Sequence, residues 1–114
     1  MRRPLILLIV PALLAAFAIP ALAATKSVKV GDNYFVRDGS APTVTVKKND
    51  TVRWTFAGDR RHNIKVKSGP VKFTSPTKSS GTFRKKMTRA GFYRIYCEIH
   101  GESDQSMKLR VRSR

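Results

Sequence analysis

Gly91-Phe92-Tyr93-Arg94-Ile95-Tyr96-Cys97-Glu98-Ile99-His100 is the stretch that decides how this chain is read. Its first seven residues are the most strand-like run in the sequence, rich in aromatic and β-branched side chains and entered through the Arg89-Ala90-Gly91 turn. The run ends at a thiol, with an imidazole three residues on. That placement predicts a strand that delivers Cys97 to a loop carrying His100.

Working outward, the same two-residue alternation recurs on both sides. Ser27-Val28-Lys29-Val30 alternates, Tyr34-Phe35-Val36 follows a Gly31-Asp32-Asn33 turn, and residues 38–42 punctuate before Thr43-Val44-Thr45-Val46. After a Lys47-Lys48-Asn49-Asp50 turn, Thr51 to Phe56 places Val52, Trp54 and Phe56 on one face. A strand beginning near His62 carries Ile64 and Val66 between lysines, and Val71-Lys72-Phe73 is at most a short edge strand among Ser, Gly and Pro. Thr82 to Thr88 sets Phe83, Lys85 and Met87 against Arg84 and Lys86, and Met107 to Val111 closes the series. No helical pattern interrupts it. Short strands at this spacing predict an all-β β-sandwich.

The first 24 residues read differently. Met1-Arg2-Arg3 is a basic start, Leu5 to Ala18 is apolar apart from Pro11, and Ala21-Leu22-Ala23 is a small-residue cleavage pattern, so 1–24 is expected to be a secretory signal peptide. Pro11, Pro20 and the Ala-rich end argue against a retained span, which needs about twenty predominantly apolar residues. Residues 25–114 then form one exported domain, periplasmic or extracellular. A domain of about ninety residues buries little more than about 60% of its unfolded surface. Exported domains of this size often carry disulfides, but the single cysteine cannot form one internally, and a bound metal is the natural substitute.

The chain holds one Cys, two His and three Met. Taken singly, each has a bland reading: free Cys packs like a small hydrophobe, a lone His is usually a surface or core residue, and Met107 alone would be core. Together Cys97, His62, His100 and Met107 supply a thiolate, two imidazoles and a thioether. A His₂Cys plane with a weak axial Met is the ligand set of a blue-copper site, since the sulfur ligands favour Cu(I) and imidazole suits both oxidation states.

From about Lys26 to Val111 the chain resembles the plastocyanin/azurin-type cupredoxins. The residues that carry the resemblance are Val44 to Trp54, His62-Asn63, Gly91 to His100, and Met107 before the last strand. The resemblance implies a Greek-key β-sandwich holding one copper ion at one end, with His62, Cys97 and His100 as equatorial ligands and Met107 as the axial one. It also implies that Asn63 holds the ligand loops together near the thiolate, a contact of the kind that tunes a metal. Two departures stand out. Six residues separate His100 from Met107 and include Gln105, itself a possible axial oxygen donor. The same loop lacks the Pro and apolar residues that surround the exposed ligand His in the family.

Nothing else in the sequence supplies chemistry: it holds no Ser/His/Asp set, no paired carboxylates, no phosphate loop and no histidines left for a second copper site. The expected function is a one-electron carrier; the alternative is an envelope copper-delivery protein without a redox partner. The chain carries +16, and without Arg2 and Arg3 the domain has 21 Lys and Arg against 7 acids, or +14. Such a field favours an acidic redox protein or an anionic envelope surface. Nucleic acid is not expected, because the basic residues are dispersed over many strands and the aromatics read as core. The domain is expected to act as a monomer. Glu98, Glu102 and Asp104 cluster around His100, either as a docking label or as compensation for the metal.

Overall fold

The computed structural model describes residues 22–36 and 42–113. The expected leader lies outside these except for residues 22–24, and residues 38–41 of the expected turn also lie outside them. Among the described residues eight strands follow in order: β1 (Thr25–Gly31), β2 (Tyr34–Phe35), β3 (Thr43–Lys47), β4 (Thr51–Phe56), β5 (Lys65–Ser68), β6 (Thr82–Lys86), β7 (Gly91–Tyr96) and β8 (Ser106–Arg112). They form two mixed sheets, ordered β2-β1-β4-β6 and β3-β8-β7-β5. The chain crosses between the sheets five times, as a sandwich built from Greek-key connections requires.

The alternation in each strand decides which way it faces. β3 runs exposed-buried-exposed-buried-exposed and β8 repeats the pattern around Met107, Leu109 and Val111. Their parallel register sets Val44 beside Leu109 and Val46 beside Val111. In the other sheet β1 and β4 pair in parallel, with Val28 beside Trp54 and Val30 beside Phe56. These inner faces merge into one core containing Trp54, Tyr93, Phe35, Ile64, Ile95 and Leu109, all essentially buried. Burying each such side chain is worth about 1.5–3 kcal/mol.

Polar contacts fix the corners. Asp50 accepts the Ala24 and Lys47 amides at 2.9 Å each, holding the β3–β4 turn in which Asn49 adopts φ 75°. The Tyr93 hydroxyl donates to the Arg89 carbonyl at 2.8 Å, bracing the entry to β7, and burial of the phenol raises its pKa above the ordinary value. Two expectations need correction. Val71-Lys72-Phe73 is not a strand: one carbonyl, that of Phe73, accepts the Val66 amide, and the Phe73 ring leaves the edge to pack on Trp54 with centroids 6.1 Å apart. Burying the aromatic outweighs extending a ladder between Pro and Ser. The expected strand at His62 begins only at Lys65; His62 itself is held by an isolated bridge to Lys78.

Candidate metal centre

Cys97 follows directly on β7, two residues past Ile95 on the inner face, and is fully buried. The loop beyond it is compact. Gly101 N–H donates to the Cys97 carbonyl at 2.9 Å, Gln105 N–H to the Gly101 carbonyl at 3.0 Å, and Cys97 N–H to the Gln105 carbonyl at 3.1 Å. Gly101 lies at φ 82°, a conformation glycine takes without strain from a Cβ. His100 is thereby carried back over the thiol, half-buried.

His62 arrives from the opposite side and is fully buried. Its amide and carbonyl both pair with Lys78 at 2.8 Å, and Ile64 exchanges bonds at 2.8 Å with the Ser75 hydroxyl and amide. The polar connection between β5 and β6 is therefore the clamp that positions this ligand. Asn63 Oδ1 accepts the Glu98 amide at 2.9 Å, joining the His62 segment to the Cys97 loop.

These elements bring one thiol and two imidazoles together. Cys97 Sγ is 3.9 Å from His62 Nδ1 and 3.7 Å from His100 Nδ1, and the ligand atoms of all three residues lie within 4.8 Å of one another. The two rings stand with centroids 4.7 Å apart. Desolvation, then the charges of His62 and Arg60, lower the pKa of His100 and favour its neutral, metal-ligating form.

Gln105, buried just before β8, completes the arrangement. Its NH₂ donates to the carbonyls of Gly31 at 2.7 Å and Tyr34 at 3.0 Å, which assigns the amide orientation and leaves Oε1 facing His62 Nδ1 at 2.9 Å. His62 Nε2 faces Asp32 Oδ1 at 3.2 Å. A neutral imidazole has one N–H to offer, yet this ring meets an acceptor at each nitrogen. A cation held at the Nδ1 side would satisfy both that lone pair and Gln105 Oε1, so the donor set fits a thiophilic metal such as copper.

Met107, the expected axial ligand, is buried, and its Sδ accepts the Trp54 indole N–H at 3.4 Å within the core, while Gln105 Oε1 is the oxygen that faces His62 Nδ1, at 2.9 Å. Packing explains the difference: Met107 is an inward position of β8, paired with Ile95, while Gln105 precedes the strand and faces the ligand loop. Two of the three acids around His100 are paired with lysines of β5. Glu98 pairs with Lys65 at 2.6 Å and Glu102 with Lys67, so the loop is tied to β5 by exposed ion pairs of modest strength. Ile99, 51% exposed, is the apolar side chain at the surface beside His100. Asp32 went unnoticed in the sequence, where it reads as a turn residue thirty positions from its partner.

No protein-family model and no curated protein matches the chain. Solved structures do. A methionine-to-glutamine mutant of amicyanin in its Cu(I) state superposes with TM-score 0.63 at 23% identity, covering 76% of this chain and 81% of that one. An oxidized proline-to-glycine mutant of amicyanin gives 0.59 at 24% identity over 85% and 89%. The Cu-containing nitrite reductase from Thermus scotoductus SA-01 gives 0.62 at 22% identity, covering 89% of this chain and 26% of that larger one. Amicyanin is a cupredoxin, and the chain has the cupredoxin fold. Its His62, Cys97 and His100 cluster is typical of a type 1 copper site.

Proposed function

We propose that this chain is an exported type 1 copper protein that carries one electron at a time and has no substrate of its own. The observation that carries the reading is the close group of His62 Nδ1, Cys97 Sγ and His100 Nδ1, assembled by the fold at one end of the sandwich. In this reading those three would hold one copper ion, with Gln105 Oε1, which faces His62 Nδ1 at 2.9 Å, as the further donor in preference to Met107, whose sulfur accepts the Trp54 N–H. Bound copper supplies a one-electron Cu(II)/Cu(I) couple.

The residues of the chain do the rest. Burial of Cys97 and His62 excludes water from the inner side of the site, and the Ser75, Lys78 and Asn63 contacts hold the donors so that little rearranges between oxidation states. A compromise geometry with a soft thiolate lowers the reorganisation that accompanies electron transfer. His100, half-buried, is the ligand nearest the surface and the natural edge for exchange with a partner. The partner is a redox protein whose surface complements the basic charge of the domain.

The test is a Cu(II) titration followed by absorption and paramagnetic resonance, with voltammetry of the loaded protein. One equivalent, an intense thiolate-to-copper band and a reversible couple are expected. Binding without thiolate character overturns the reading. Tight binding with no reversible couple, but with copper passed to an acceptor apoprotein, supports envelope copper delivery instead.

A further inference from the structure

Asp32 is a built feature of the site that the copper reading does not require. It lies in the β1–β2 turn, and its Oδ1 accepts the Arg60 amide at 3.0 Å while facing His62 Nε2 at 3.2 Å. Room for the carboxylate comes from Gly58, where a Cβ would fall 2.1 Å from Oδ1. The loop that ends at His62 thus wraps a carboxylate from another strand pair and presents it to the back of a buried imidazole.

We infer that Asp32 is a positioning residue that holds the proton of His62 on Nε2, leaves the Nδ1 lone pair aimed at the ligand cluster, and biases the bound metal toward its higher charge. The physical grounds are two. A carboxylate accepts only, so the nitrogen it faces must donate, and that fixes which nitrogen is left to bind metal. A negative charge behind the ligand makes the imidazole a stronger donor and interacts more favourably with a dication than with a monocation. The inference deepens the copper reading and rests on it for its second half; the first half concerns the apoprotein alone.

Two measurements separate them. In the purified metal-free protein, ¹⁵N spectra of His62 are expected to show Nε2 protonated, in wild type and in Asp32→Asn, whose side-chain oxygen still accepts. Asp32→Ala is expected to lose that preference. In the copper-loaded protein, Asp32→Asn keeps the geometry and removes the charge. It should lower the ratio of Cu(II) to Cu(I) affinity about tenfold, at the lower end of what such contacts are worth, which raises the midpoint by about 59 mV for a one-electron couple. An unprotonated Nε2 in the wild-type apoprotein overturns the inference, and so does an unchanged midpoint in Asp32→Asn. If the wild type binds no copper through its thiolate, the functional reading falls while the ¹⁵N spectra still decide the role of Asp32.

Discussion

The Trp54 indole donates its N–H to the Met107 sulfur across 3.4 Å in the middle of the core, a contact between strands of opposite sheets. It gives the thioether a structural occupation and gives a buried donor the partner it needs. Met107→Leu is therefore expected to leave the copper spectrum and midpoint almost unchanged. The swap itself should cost under about 1.5 kcal/mol, and the orphaned indole N–H adds about 1–3 kcal/mol. Denaturant melts and voltammetry of one variant check both halves.

Gln105 should behave in the opposite way. Gln105→Ala removes the oxygen facing His62 and the two bonds to Gly31 and Tyr34, so spectrum, midpoint and stability should all move. Gln105→Met restores a donor of different softness and is expected to raise the midpoint, because a thioether favours Cu(I) more than an amide oxygen does. A Gln105→Ala protein with wild-type spectrum and midpoint would return the axial role to Met107 or to no residue.

Cys97→Ser should abolish the thiolate-to-copper band while the sandwich stays folded, since the change is nearly isosteric and the core has many other apolar members. Absorption and far-UV dichroism of the same sample give the answer.

Metal should also act on stability. Copper that binds only the folded state adds about 2.7 kcal/mol at a free concentration one hundred times Kd, and the thermal midpoint should rise with copper in wild type but much less in Cys97→Ser. An equal rise in both would mean that the copper binds elsewhere.

Acid should destabilise the metal-free protein in two steps of known sign. The folded-state pKa of His100 lies below the ordinary 6.5, so below about pH 6.5 the unfolded chain takes the proton first and stability declines until the folded His100 also titrates. The folded-state pKa of Asp32 lies below 3.8, so its contribution is present above that value and disappears as pH falls further. Melting curves of wild type, His100→Gln and Asp32→Asn between pH 7 and pH 3 should show the first step missing from one variant and the second reduced in the other.

The strands were legible in the sequence because period-two alternation states both the element and its buried face; Val52, Trp54 and Phe56 announce β4 without further help. His62, Cys97 and His100 were legible because the chain has no other cysteine or histidine to offer. Sequence reasoning erred where the deciding partner is remote. Phe73 looks like strand sequence until Trp54 and Phe83 take its ring. Asp32 looks like a turn residue until the loop at Gly58 folds over it. In each case the local pattern was correct and a long-range contact decided the outcome.

Ala24 enters the fold ahead of β1: its amide nitrogen is 2.9 Å from Asp50 Oδ1, and its carbonyl takes the Thr51 N–H. Ala24 is the last residue of the expected leader, so a cut after it would take both bonds away from the start of β4 and from Asp50, a carboxylate only 7% exposed that also receives the Lys47 amide. Removing the leader would then change how the first strand is fastened as well as where the protein is sorted.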